Sequence, residues 1–467
     1  MVRKVFFTYV ILRLIEPKGR SCQMAENTKL SKRIWLVFII YGLIGQMAWT
    51  IENMYLNVYI YKTVTYDANA IAIMVASSAI IATLATLTMG ALSDRMGKRK
   101  VFMTIGYMIW GISIIGFGFI TKATVSSLFP SSNVIAVTIG LIILLDCIMT
   151  FLGSSANDAS FQAWVTDVTS PSNRGKAEGL IATMPLLGML VVFGVFDGFT
   201  QAARWQEFFL IIGIIVFLSG LLGLFLIKDR PIPKKESHYF KDLIVGFKPS
   251  TIKKNHMLYL VFISISILGI AQQVWLPYFI IYFEFYIGLS DYVLLLGGVL
   301  LLSSLVSIIG GRLVDRYGKK KFLIPSVIGY IIGMTLMFIL GLTLKDNLTL
   351  TFIFTLISGI LMMGSYLISM VILNALGRDL VPKTHVGVFS GIKMVFFVMV
   401  PMVIGPFIGS FVISKSSSTY LDEFGILQSV PIPGIYLAGA IVCLLSFIPI
   451  LFVYRYIKKI SLSDESI

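Results

Sequence analysis

Apolar residues run along this chain in long unbroken blocks, and most charged residues fall in the gaps between them. The blocks cover residues 34–61, 67–90, 101–121, 133–165, 177–198, 205–227, 257–284, 289–310, 321–344, 348–377, 387–414 and 431–457. About 20 consecutive apolar residues are what a helix needs to cross a bilayer, and a helix satisfies all its backbone hydrogen bonds there. The pattern therefore predicts an all-α membrane protein with twelve transmembrane helices. Several blocks exceed the minimum, which allows tilt or extension past the membrane.

Composition agrees. The chain is 57% hydrophobic and 13% charged, with a mean hydropathy of +0.90, where soluble proteins carry about 25% charged residues. Its net charge of +15 could suggest nucleic acid, but the placement of the cations argues for topology instead. Of the 38 Lys and Arg, 32 fall before span 1, after span 12, in the even-numbered gaps or, as Lys321 and Arg455, at the inner ends of spans 9 and 12. Only Lys62, Lys122, Arg204, Lys345 and Lys415 fall in the other gaps, with Lys393 inside span 11. By the positive-inside rule both termini are cytoplasmic, and the expected setting is a multi-pass protein of the cell membrane. No nucleic-acid partner is expected, and nothing demands a second subunit, so a monomer is.

Cys22, Cys147 and Cys443 are too scattered for a disulfide framework or metal cluster, and His238, His256 and His385 fall at or near inner loops. No metal or other cofactor is expected. Nucleotide-binding and serine-hydrolase motifs are absent, which argues against an enzyme. Asn347-Leu348-Thr349 is a glycosylation sequon in an outer loop. Residues 1–23 contain an apolar stretch too short to span and no cleavage site, and Met24 reads as an alternative start.

The halves repeat each other. Gly90, Leu92, Asp94, Arg95, Gly97 and Lys98 recur as Gly311, Leu313, Asp315, Arg316, Gly318 and Lys319, a constant shift of 221. Gln162, Asp167, Gly175 and Gly179 match Asn374, Asp379, Gly387 and Gly391 at a shift of 212, and Gln46 and Trp49 match Gln272 and Trp275 at 226. The economical organisation is a cytoplasmic segment 1–33, a six-helix bundle 34–227, a basic linker 228–256, a second bundle 257–457 and a tail 458–467.

The doubled loop resembles the hallmark of the major facilitator superfamily. That resemblance implies two six-helix bundles around a central cavity, rocking between inward-open and outward-open states. It also implies a gate in which the loop acid meets a helix N-terminus of the opposite half and a nearby Arg, holding the cytoplasmic side closed. Gly90, Asp94, Arg95, Gly97, Gly311, Asp315, Arg316 and Gly318 occupy those positions.

Ionisable residues at membrane depth are costly and default to site candidates. On helix 1, Gln46, Trp49, Asn53 and Asn57 fall on one arc with Glu52 beside it. On helix 4, Asp146, Thr150, Gly153 and Asn157 share a face, with Asp158 adjoining. On helix 7, Gln272, Gln273 and Trp275 repeat the helix 1 pattern. Aromatic faces beside amides suit a sugar ring, and the acids suit a proton as coupling ion. Asn374 completes the set by its repeat position. Asp197 and Glu284 lie near outer span ends and are expected to be solvated, while Lys393 is expected to snorkel.

Asn157-Asp158, Phe161, Gln162 and Trp164, with Tyr55, Tyr59 and Tyr61, resemble the glycoside–pentoside–hexuronide cation symporters. The resemblance implies a role for Asp158 at sugar and cation sites. It departs at helix 2, where two family acids are replaced by Ala82 and Thr86, so the expectation is a proton rather than sodium. The function expected is a secondary transporter of a small solute, proton-coupled and sugar-specific. The alternatives are a drug or metabolite antiporter, whose Gly-Pro-x-x-Gly motif lies here on helix 11 at Gly405–Gly409 rather than helix 5, and a transporter-derived sensor.

Overall fold

The computed structural model describes residues 30–170, 173–229, 246–289, 292–344, 347–382, 386–416, 419–421 and 427–464. Residues 1–23, most of the linker, Lys345, Cys22, His238 and His385 lie outside them.

Among the described residues eleven helices are long and apolar enough to cross a bilayer, and a twelfth qualifies as a pair bent by 42°. They are α1 Lys32–Thr63, α2 Ala68–Met96, α3 Arg99–Phe117, α4 Val134–Val168, α5 Lys176–Gln201 and α6 Trp205–Leu226. The second set is α7 His256–Ile287, α8 Tyr292–Tyr317, α9 Lys319–Thr343, α10 Leu348–Leu380, α11 Gly391–Ser414 and α12 Gly434–Leu445 with Phe447–Ile457. The protein is thus a multi-pass membrane protein whose spans are all helical, in two six-helix sets. Large apolar side chains on the outer faces, such as Phe225 (74% exposed) and Leu294 (70%), meet lipid rather than water.

Local chemistry sets the helix ends. Ser31, Asp67, Asn133 and Asn347 cap α1, α2, α4 and α10 by accepting from backbone N–H groups two or three residues on. The sequon asparagine is therefore a helix cap. At the other ends of α2 and α8, Gly97 (φ 62°) and Gly318 (φ 91°) turn the chain through the left-handed region that favours glycine. That is the physical need behind the two glycines of the repeated loop.

Besides the bend in α12, five spans carry wide stretches among the described residues. α1 carries a wide, π-type stretch at Ile51–Tyr55, α4 at Ser154–Phe161, α5 at Val192–Phe196, α7 at Tyr282–Ile287 and α11 at Val395–Met399. Such stretches are rare and frequently mark functional positions. α7 breaks further after Gln273, where Pro277 heads a tight turn at Leu276–Tyr278. An antiparallel hairpin, Thr419–Leu421 with Leu427–Ser429, joins α11 to α12. The apolar pattern gives no sign of it.

The two halves meet mainly at the end remote from the Gly97 and Gly318 loops. The Tyr278 hydroxyl of α7 donates to the carbonyls of Ala68 on α2 (3.2 Å) and Pro406 on α11 (2.8 Å). Tyr61 donates to the Ser429 carbonyl (3.0 Å), and Lys62 pairs with Glu284 at 2.5 Å. Lys62 sits within α1 rather than in a loop, and Glu284, expected in water, is largely shielded by that pair.

Asp197 departs furthest from expectation. It is 2% exposed rather than solvated, and its Oδ1 accepts from Tyr55 (2.8 Å) and from Tyr292 of the other half (2.9 Å). Its Oδ2 accepts from Gln201 (2.6 Å). A carboxylate inside a packed end survives only with several donors around it, and these supply them.

Candidate functional site

Three carboxyls lie together where α1 passes α4. Glu52 stands in the wide turn of α1, 5% exposed, and its Oε1 accepts from the Thr150 hydroxyl at 2.8 Å. Its Oε2 has no partner, and neither oxygen of Asp146, itself 1% exposed, has one. Asp158 accepts from Ser154 at 3.3 Å and lies within reach of the Trp49 indole. Both aspartates are close enough to Glu52 for their charges to be felt there. Among the described residues none of the three is in an ion pair; the five pairs found lie elsewhere. Burying one ionised carboxylate costs several kcal/mol, so three acids with no cation beside them among the described residues are not an arrangement that stabilises the fold.

The wide turns decide which residues face this cluster. Asp146, Thr150 and Gly153 precede the irregular stretch of α4 and keep helical register. Asn157 lies inside it and is rotated off the face that even spacing predicted. Its Nδ2 donates to the Tyr107 hydroxyl of α3 (2.7 Å), which donates to the Tyr41 carbonyl of α1 (2.8 Å). Gly45 makes room for that chain, since a Cβ there would strike Asn157 and Tyr107. Asn157 is thus a three-helix tie.

The same correction applies on α1. Asn53 and Asn57 turn their amides onto the carbonyls of Trp49 and Asn53, each at 2.8 Å, and the buried Asn57 Oδ1 is left without a partner. Trp49 leans on Trp110 with ring centroids 5.3 Å apart, and Gln46 lies against Gly188 of α5.

Helix 7 does not repeat helix 1. Because α7 ends its first segment at Gln273, Trp275 falls in the turn and stacks on Tyr436 of α12 (5.7 Å, 30°). Gln272 and Trp275 line a separate cavity of about 140 Å³. Asn374 remains apart, its amide on the Met370 carbonyl (2.8 Å). Lys393 is half-buried with its ammonium 5.6 Å over the Phe397 ring.

Among the described residues the gate expected from the repeated loops is not formed across the halves. Asp94 pairs instead with Arg99 of its own half, and Arg99 also bonds Asp167 at 3.2 Å. The N-terminus of α3 receives Asp229, whose Oδ1 accepts from the backbone of Arg99 (3.0 Å) and Lys100 (2.8 Å). The second half echoes this with Lys319 on Asp379 at 2.5 Å. Asp315 and Arg316 are exposed, Arg316 lying over the Tyr317 ring. Each loop is therefore fastened within its own half while the remote end is tied across, as in a molecule open at the basic end.

Sequence reasoning missed Tyr292 and Tyr278, whose roles depend on partners far away in the chain. It placed Asp197 at a span end, yet lying inside the run 177–198 was the available signal for burial.

Comparison with known proteins gives a consistent result. The model described as Major Facilitator Superfamily matches residues 35–406 and, again, 294–465. The Glucose transporter GlcP of Staphylococcus epidermidis is 22% identical over 339 residues, 66% of this chain and 72% of that protein. An uncharacterized MFS-type transporter of Methanocaldococcus jannaschii is 29% identical over 142 residues, 30% of this chain and 31% of its own. Among solved structures, the nucleoside transporter NupG superposes with a TM-score of 0.69 at 14% identity, covering 90% of this chain and 99% of that one. The xylose transporter XylE from E. coli, in a partially occluded inward-open conformation, gives 0.63 at 15% identity, covering 91% and 98%.

Proposed function

Since the chain belongs to the major facilitator superfamily and is a membrane transporter rather than an enzyme, we propose that it is a proton-coupled symporter of a sugar or glycoside. The observation that carries the coupling is the unpaired acid cluster of Glu52, Asp146 and Asp158, buried between α1 and α4. A proton bound there cancels a charge that the surroundings hold poorly, and its release restores it. Either state biases how the two halves pack, which links proton movement to alternating access. GlcP is a glucose transporter with detectable sequence similarity, and that supports the sugar class.

In this reading the basic end, with both termini, faces the cytoplasm of a cell-membrane protein, and the structure represents its inward-open state. The Tyr278, Tyr61, Lys62 and Asp197 contacts close the outside. Asp94, Arg95, Asp315 and Arg316, with the turn glycines Gly97 and Gly318, form the cytoplasmic gate once the halves approach. Gln46 and Trp49 of α1, and Gln272 from the neighbouring cavity, supply amide and aromatic contacts for the solute. No metal or organic cofactor enters the scheme.

The efflux alternative draws on Gly405–Gly409. In α11, however, a Cβ at Gly405 would meet Gln273 and the Ile270 carbonyl, and one at Gly409 the Val274 carbonyl. Those glycines let α11 lie against the broken α7, a packing use that needs no export role.

The test is accumulation of labelled glucose in proteoliposomes, with and without an inward proton gradient. Gradient-driven uptake is expected for the wild type, with loss of accumulation in Glu52→Gln or Asp158→Asn but retained downhill exchange. Equal uptake without the gradient would remove proton coupling, and expulsion of a lipophilic cation with no sugar movement would favour the antiporter.

A further inference from the structure

The cavity of about 140 Å³ beside the acid cluster is lined mostly by apolar groups, the polar exceptions being Gln272, Thr355, Tyr436 and the indole N–H of Trp275. That is an odd wall for a sugar, whose hydroxyls each demand a hydrogen-bond partner on leaving water. Five methionines, Met54, Met189, Met337, Met362 and Met363, contribute to it. Methionine is flexible and polarisable, so such a surface adapts to apolar groups of varied outline. The volume matches a ligand fragment: an engineered apolar cavity of about 150 Å³ holds one benzene molecule.

Its position ties it to the transport path. Met54 stands two residues from Glu52 in the same wide turn of α1, and Met189 comes from α5. The remaining lining belongs to α7, α8, α9, α10 and α12. An occupant therefore touches both halves at once and must be released or re-gripped when they rock. A cavity enclosed by one half alone would lack that property.

Resting on the symport reading above, we propose that this chamber binds the apolar group of an amphipathic substrate, so that the transported solute is an aryl or short-chain alkyl glycoside in preference to a free sugar. The sugar ring lies toward Gln272 and the α1 residues, and the aglycone fills the methionine-lined space.

The test uses the full-length chain in lipid nanodiscs, titrated calorimetrically with methyl β-glucoside and phenyl β-glucoside, beside glucose uptake in proteoliposomes. Burying a phenyl ring in place of a methyl group tightens binding at least tenfold, and along an alkyl series each added methylene gains about fourfold until the chamber is full. Met363→Trp, which fills the space, is expected to abolish the phenyl preference. Met363→Ala, which enlarges it, is expected to move the alkyl cut-off to longer chains, each variant being referred to its own methyl glucoside affinity. Glucose uptake with equal affinity for the two glucosides, or a cut-off unmoved in both variants, overturns the chamber and leaves the symport reading standing. No glucose uptake and no binding of either glucoside sinks the symport reading, and the chamber assignment with it.

Discussion

Replacing Tyr292 by Phe removes one hydroxyl and leaves the ring that packs the remote end. That hydroxyl donates to Asp197 Oδ1 at 2.9 Å, with Tyr292 1% and Asp197 2% exposed. Because Tyr292 is on α8 and Asp197 on α5, the bond exists only while the two halves are closed at this end. A hydrogen bond to a charged group contributes about 1.5–3 kcal/mol, and every 1.4 kcal/mol is tenfold in an equilibrium. Tyr292→Phe should therefore shift the population toward the outward-open state by about 10- to 100-fold. Tyr55→Phe is the internal control. It removes a bond of similar length, 2.8 Å, to the same oxygen, but within one half, so it weakens both states alike and should move the balance little. Spin labels at Leu128 and Leu348, both exposed near the remote end, report the opening as a longer interspin distance once the native cysteines are replaced. An unchanged distance distribution in Tyr292→Phe, or an equal shift in Tyr55→Phe, would refute the latch.

The Lys62–Glu284 pair crosses the same end and is mostly shielded, 16% and 25% exposed, so Lys62→Met, which leaves Glu284 without its cation, should shift the distribution in the same direction by about 1–3 kcal/mol, and molar salt should reproduce only part of the shift. Gly45→Ala drives a methyl into Asn157 and Tyr107; thermal unfolding in detergent should fall by several degrees, about 1–3 kcal/mol, and an unaltered melting temperature would show that the three-helix tie gives way freely. Arg99→Met leaves Asp94 and Asp167 without their shared cation, and it should lower the melting temperature in detergent by the equivalent of about 1–3 kcal/mol; an unchanged melting temperature would show that the two acids do not depend on it.

How much of this was readable beforehand differs from residue to residue. The doubled loop was legible because its glycines answer a local need, a left-handed turn at Gly97 and Gly318. Glu52 and Asp146 stood out because a carboxyl inside an apolar run is conspicuous in one dimension. Asn157 misled, since a helical wheel assumes constant register and the wide stretch Ser154–Phe161 breaks it. Trp275 was half legible: it still lines one cavity with Gln272, but the break after Gln273 puts it in a turn, so the likeness to helix 1 does not hold.

The sequence by itself determined that the chain crosses the membrane about twelve times, that its halves are copies and which end is basic, since hydropathy, repetition and charge are properties of single segments. Only the tertiary structure decided which acids share a site, which asparagines are fasteners, where the chamber lies and which end is shut. Those depend on contacts such as Glu52 with Thr150, 98 residues apart, and Tyr55 with Asp197, 142 apart. Helices in lipid associate through side-chain fit and buried polar contacts rather than through the hydrophobic pattern that inserts them, so the pattern reveals the spans and says little about their neighbours.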